Sequence, residues 1–266
     1  MSERTHTSDD PRAALERVAR DPARRPLLVA LDFDGTLAPL QDDPTRSRVL
    51  PEGVEPLRRL VHPPGVALAL VSGRALHELH ALAEVPAGTY LVGSHGAERA
   101  RVTAHGLDRD VVRLTDEQAD RLAALGAQAQ EVARRREGVW VEQKPTAVVV
   151  HTRLAGPDDA AAAEQEALAL GEQLGSGVLH GKDVVEILVL RASKGEALRA
   201  LRDELGAQVV VCAGDDVTDE HMFEALGDDD VTIKVGDGTT AARHRVPDPR
   251  ALVAALTTLA DTLATD

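Results

Sequence analysis

Apolar runs of four to six residues recur along the chain, and nearly every one ends in a polar turn. Leu27–Asp32, Val66–Val71, Thr89–Val92, Val209–Ala213 and Val231–Val235 each read as a buried strand. Between them lie segments whose apolar positions repeat with helical spacing. These are Asp9 to Ala19, opened by the cap-like Asp9-Asp10 and Pro11, then Val54–Leu60, then a helix running on from Ala75. The stretch from Pro39 to Pro51 is rich in turn residues. Strand, polar turn and helix in repetition predict a parallel sheet flanked by helices. Ligands of such sheets bind beyond the carboxyl ends of the strands. Here those ends carry Asp32-Phe33-Asp34-Gly35-Thr36-Leu37, Ser72-Gly73-Arg74, Gly93-Ser94-His95-Gly96-Ala97-Glu98, Gly214-Asp215-Asp216 and Gly236-Asp237-Gly238.

The middle of the chain has another pattern. Asp116 to Glu137 predicts a helix with Leu122, Leu125 and Val132 on one side. Val139–Gln143, Ala147–Thr152 and Val184–Leu188 predict strands, with an Ala-rich helix from Pro157 to Leu174 between the last two. None of these strand tips is acidic. The expected architecture is α/β: a Rossmann-like parallel sheet core with helices on both faces, built from residues 1–112 and 192–266, and an inserted smaller α+β cap domain over 113–191.

A length of 266 residues accommodates one large domain or two modest ones. Hydrophobic residues make up 43% and aromatics only 2%, so the core is built from Leu, Val and Ala. The net charge of −14 argues against nucleic acid or an anionic membrane surface as the main partner. It also means that an anionic substrate needs a local positive pocket. Met1 to Asp21 has no apolar centre of the kind a signal peptide needs, and no run approaches the ~18 apolar residues of a membrane span. With Cys212 as the single cysteine, no intramolecular disulfide can form, and a cytoplasmic location is expected. Only four lysines occur, Lys144, Lys182, Lys194 and Lys234, and Lys194 at a loop-to-helix junction is the first candidate for a charge needed at a tight site.

Asp32 and Asp34, two residues apart at a strand end, can point to the same side. Paired carboxylates there hold a hard cation, or one of them attacks an electrophile. Gly35 lets the backbone turn tightly behind them. Ser72 can donate its hydroxyl to a phosphate oxygen, Lys194 can place a positive charge on the same group, and Gly214-Asp215-Asp216-Val217-Thr218-Asp219-Glu220 adds acids. Singly, each has a plainer explanation: a solvated strand exit, a helix cap at Ser72, a surface lysine, a helix N-terminal charge at Asp215. Together on four strand or loop ends they suit phosphoryl transfer, where positioning and charge neutralisation supply most of the catalysis.

These motifs resemble the phosphatases of the haloacid dehalogenase superfamily. Three further segments, Gly93-Ser94-His95-Gly96-Ala97-Glu98, Val141-Glu142-Gln143-Lys144 and Gly181-Lys182-Asp183-Val184-Val185-Glu186, resemble the trehalose-6-phosphate phosphatase family. The similarity runs from about Leu27 to the C-terminal helix, with Thr152 standing where the family often has an aromatic. The resemblance implies that Asp32 attacks phosphorus to give an aspartyl-phosphate and that Asp34 serves as general acid, then base. It implies Mg2+ on the carboxylates of Asp32 and Asp215 and the backbone carbonyl of Asp34, supported by Asp219 or Asp216. Ser72 and Lys194 would hold the phosphoryl oxygens, and the cap would read the sugar through Glu142, Lys144 and Glu186, with His95 touching the substrate from the core side. Alternation supports part of this independently, since Trp140, Glu142 and Lys144 share one strand face, although a solvated Glu142–Lys144 ion pair would look the same. The implied substrate is trehalose 6-phosphate. A phosphatase of sucrose phosphate or mannosylphosphoglycerate, or a sugar phosphomutase, is the alternative. Nothing in the sequence speaks to the oligomeric state.

Overall fold

The computed structural model describes residues 10–110, 114–174, 176–189 and 193–265. Asp9 and the domain boundaries expected at 112/113 and 191/192 lie outside the described residues. The chain divides into two units, one from the described residues up to Asp110 and from Ser193 onward, the other from those between Leu114 and Val189.

Along the first unit run α1 (Arg12–Arg20), β1 (Leu27–Leu31), α2 (Pro51–Leu60), β2 (Val66–Val71), α3 (Leu76–Ala83), β3 (Tyr90–Gly93), β4 (Glu98–Thr103) and β5 (Gly106–Arg109). The second unit carries α4 (Asp116–Arg134), β6 (Trp140–Gln143), β7 (Ala147–His151), α5 (Pro157–Gln173), β8 (Gly177–Gly181) and β9 (Val184–Leu188). The first unit then resumes with α6 (Lys194–Leu205), β10 (Val209–Gly214), α7 (Val217–Glu224), β11 (Val231–Val235), β12 (His244–Val246) and α8 (Pro249–Leu263).

The first unit's sheet has the order β12-β11-β10-β1-β2-β3-β4-β5. Its pairs are parallel from β12 to β3 and antiparallel only where β4 and β5 are added. All five residues of β1 are buried because the strand is covered on both faces. Leu27, Val29 and Leu31 pack with Leu15, Leu57, Leu79 and Leu256 of α1, α2, α3 and α8. Leu28 and Ala30 point the other way, to Leu198, Leu201, Met222 and Phe223 of α6 and α7. The strand period of two thus splits one apolar run between two helical layers, and the α/β core expected from the sequence is what forms.

In the second unit, β6-β7-β9-β8 form an antiparallel sheet. Val148, Val150, Val185 and Ile187 pack on Leu122, Leu125, Ala129, Ala163 and Ala167 of α4 and α5, which cover one face. α4 opens with a capping box between Thr115 and Gln118. No helix among the described residues is long and apolar enough to cross a membrane.

Candidate active site

β1 ends at Leu31, one residue before the nucleophile candidate, so Asp32 stands at the sheet's carboxyl edge, with its N–H still bonded to Ala213 O at 2.9 Å. The chain then turns tightly: Leu37 and Ala38 both donate N–H to Phe33 O, and Gly35 donates to Ala38 O at 2.7 Å. Gly35 has φ +77°, and a Cβ on it would lie 1.9 Å from Asp215 Oδ2. The turn therefore brings backbone against the acid at the end of β10, an approach open only to glycine.

Asp32 is 4% exposed. Its Oδ1 accepts from Lys194 Nζ at 2.7 Å, and the same ammonium donates to Asp219 Oδ1 at 2.7 Å. Asp32 Oδ2 is buried and has no hydrogen-bond partner. Burial pushes the Asp32 carboxyl up from 3.8 to about 7, against the pull of Lys194 and with the charges of Asp219 and Asp215 adding to the rise. Burial also raises Asp215, to about 6, helped by Asp219 and Asp216. Burial works against the Lys194 ammonium, but the charges of Asp32 and Asp219 outweigh it and hold the group above its usual range. Lys194 is 4% exposed as the first residue of α6, whose cap is Ser193, so it is no surface lysine.

The acidic motif divides its labour. Asp216 caps α7, its Oδ1 accepting from Val217 N at 2.6 Å. Asp219, fully buried, accepts from the N–H groups of Asp215 and Asp216 through Oδ2 while Oδ1 faces Lys194. Thr36 Oγ1 donates to Asp215 Oδ1 at 3.4 Å.

Asp34 sits apart from this group. Arg74 grips its carboxylate in a fork, Nε to Oδ2 at 2.5 Å and Nη2 to Oδ1 at 2.7 Å. The guanidinium lies 5.8 Å from the centroid of the Phe33 ring and also donates to Pro44 O and Ser47 Oγ. Ser72, at the tip of β2, is 2% exposed. It does not cap α3, because Glu98 Oε2 takes the Leu76 N–H at 3.1 Å, and Ser72 Oγ accepts from Arg74 N at 3.2 Å. His95 donates its N–H to Ser72 O at 3.0 Å and has φ +55°. Its ring lies over Gly73, where a Cβ would come within 2.6 Å.

In the second unit, the sheet face opposite the helices carries Glu142, Lys144, His151 and Glu186. Glu142 and Glu186 both sit across from Val149 in the register. Lys144 Nζ donates to Glu186 Oε1 at 3.0 Å, with both side chains 12% exposed. Glu142 Oε2 meets His151 Nε2 at 3.0 Å. The solvated Glu142–Lys144 pair therefore does not form, and each side chain has a different partner.

Comparison with known proteins follows the same lines. Residues 30–250 match the model of the trehalose-phosphatase family. The chain belongs to that family. A bifunctional trehalose-6-phosphate synthase/phosphatase of Thermoproteus tenax is 38% identical over 237 residues, which cover 86% of this chain and 31% of that protein. A probable trehalose-phosphate phosphatase of Sinorhizobium fredii is 35% identical over 241 residues, 86% of each chain. The trehalose-6-phosphate phosphatase of Escherichia coli is 34% identical over 225 residues, 82% of this chain and 81% of that one. The crystal structure of a trehalose-6-phosphate phosphatase related protein superposes with a TM-score of 0.69 at 25% identity, over 90% of this chain and 99% of that one.

The family's phosphatase chemistry calls for a divalent metal, and the acids fit one. Carboxylate oxygens of Asp32, Asp215 and Asp219 all lie within 4.8 Å of one another. The unpartnered Asp32 Oδ2 and the raised Asp32 and Asp215 carboxyls mark a cluster with more negative charge than Lys194 neutralises. Hard oxygen donors in that state suit a hard cation. The carboxylate of Asp34, a residue expected to ligate through its backbone carbonyl, is not in the triad. Two contributors escape the sequence patterns. The Ser72-Gly73-Arg74 motif gives no sign that Arg74 clamps Asp34, and Lys234 of β11, 5% exposed, donates to the Asp215 carbonyl from the neighbouring strand. A lysine amid Val231–Val235, in a chain with only four, is the available signal.

Proposed function

We propose that this enzyme hydrolyses trehalose 6-phosphate to trehalose and phosphate, the last step of trehalose biosynthesis, with Mg2+ as its metal. The observation that carries the chemistry is the state of Asp32: one oxygen is fixed by Lys194, and the other is buried, without a partner, at the carboxyl edge of the sheet. In the first step an Asp32 oxygen attacks phosphorus, the bond from phosphorus to the sugar oxygen breaks, and Asp34 gives that oxygen its proton. In the second, Asp34 takes a proton from water, the water oxygen attacks phosphorus, and the bond to Asp32 breaks to release phosphate. Asp34 must loosen one arm of the Arg74 fork to act, so Arg74 is placed to govern when it does. Ser72 and Lys194 hold phosphoryl oxygens. Asp32, Asp215 and Asp219, with the Asp34 carbonyl, would hold Mg2+, which supplies charge neutralisation for the phosphoryl group.

The second unit is assigned as the cap, spanning 113–191, whose Glu142, Lys144 and Glu186 bond the sugar hydroxyls, and His95 is assigned a substrate contact from the core. The small anionic substrate fits a chain of net charge −14 only through such local positive groups as Lys194. The same charge disfavours a nucleic-acid partner, and the single cysteine, Cys212, fits an assignment to the cytoplasm. The test is phosphate release with Mg2+ from trehalose 6-phosphate, glucose 6-phosphate, sucrose 6-phosphate, mannosylphosphoglycerate and an aryl phosphate. Preference for trehalose 6-phosphate is expected. Preference for another sugar would overturn the cap assignment and keep the core's; no release from any would overturn both.

A further inference from the structure

The cap sheet holds its two carboxylates by two different devices. Glu186 is tied by an ammonium, Lys144, with both groups largely buried. Glu142 is more open, at 43% side-chain exposure, and is tied by an imidazole that is itself fixed. Trp140 and His151 face each other directly in the β6–β7 register, and their rings stack at 4.7 Å with planes 8° apart. Stacking sets the plane of the His151 ring, and from that plane Nε2 reaches Glu142 Oε2 at 3.0 Å, one step diagonally across the ladder. An open glutamate left alone samples many rotamers and loses that freedom when it binds a ligand. A bond from a fixed ring removes most of that cost beforehand, leaving Oε1 to face a hydroxyl.

We propose that His151, braced by Trp140, is a positioning residue that pre-sets Glu142 for sugar recognition. This rests on the reading of Glu142 as a sugar contact. His151 touches no reacting atom. Its effect belongs in the binding of the sugar and not in the chemistry at phosphorus.

The experiment compares His151→Ala, His151→Gln, Glu142→Ala and the His151→Ala/Glu142→Ala pair on trehalose 6-phosphate and on para-nitrophenyl phosphate, with thermal melts of each. His151→Ala is expected to raise KM for trehalose 6-phosphate roughly five- to tenfold with little change in kcat, and to leave the aryl phosphate untouched. His151→Gln, whose amide can still donate to Glu142, restores most of the loss. The double variant is no worse than Glu142→Ala alone. A lowered melting temperature with unchanged KM would make the pair purely structural and overturn the proposal, as would equal losses on both substrates or losses that add in the double variant. Glu142→Ala distinguishes the levels. If it separates the two substrates while His151→Ala does not, the positioning role alone fails. If it does not separate them, the sugar reading fails and takes the positioning role with it.

Discussion

At the scale of single residues, the site is a problem in charge. Asp32, Asp215 and Asp219 crowd together with Lys194 as the shared cation of Asp32 and Asp219. In the metal-free protein the folded-state carboxyls of Asp32 and Asp215 lie above their usual 3.8, at about 7 and about 6. A raised carboxyl means that the fold binds the proton more tightly than the unfolded chain does. Its contribution therefore favours folding at low pH, and that contribution drains away as pH climbs from about 4 to 7. A bound cation reverses this, because it prefers the ionised acids. The gain in melting temperature on adding Mg2+ is expected to be larger at about pH 8 than at about pH 5. Equal gains would show that these acids are not the metal's ligands. Asp32→Asn keeps the shape and removes the nucleophile, so turnover falls by roughly four orders of magnitude or more while the circular dichroism spectrum is retained. Retained turnover would take Asp32 out of its role.

Among the elements, the turn after β1 is the most constrained. Gly35→Ala would place a methyl group on Asp215 Oδ2 at a backbone φ of +77°, where any side chain is strained. Mg2+ affinity measured by calorimetry is expected to drop at least about tenfold, since metal ligands displaced by a fraction of an ångström lose their geometry. Unchanged affinity would mean that Asp215 does not bind the metal. The strands of this layer are legible because parallel strands are buried on both sides and read as plain apolar runs; β2 and β11 have the bounds their sequences predict. The hairpin of β4 and β5 is not. Glu98, Ala100 and Val102 point inward and Arg99, Arg101 and Thr103 outward, a two-residue alternation too polar and too near the sheet edge to stand out. β8 has glycines at both ends and only Val178 and Leu179 as an apolar run, and β12 is three residues long, so neither stands out in the sequence. Within the site, the acids announce themselves at strand ends and Lys194 at a loop-to-helix junction, whereas the contacts of Arg74 with Asp34 and of Lys234 with Asp215 join residues distant in sequence.

On the scale of the whole molecule, the proposed phosphorus chemistry belongs to the first unit and the proposed sugar reading to the second. Glu142→Ala is expected to cut kcat/KM for trehalose 6-phosphate about tenfold or more while leaving an aryl phosphate within about twofold. Equal losses on both would show that this residue does not read the sugar. The buried Thr152, at the position where the family often has an aromatic, donates to Glu164 Oε1 at 2.8 Å within the second unit.

The pairing of β1 with β10 has a consequence for the birth of the protein. β1 lies between β2 and β10, and Lys194 follows Asp32 by 162 residues. A ribosome needs about ten to thirty seconds to cover that distance. Throughout that interval the nascent chain carries the proposed nucleophile without its Lys194 counter-charge and an apolar strand with at least one open edge, the kind of surface that chaperones shelter. A product cut short anywhere in the interval lacks Lys194, Asp215 and Asp219 together, and is expected to be inactive and not merely slow.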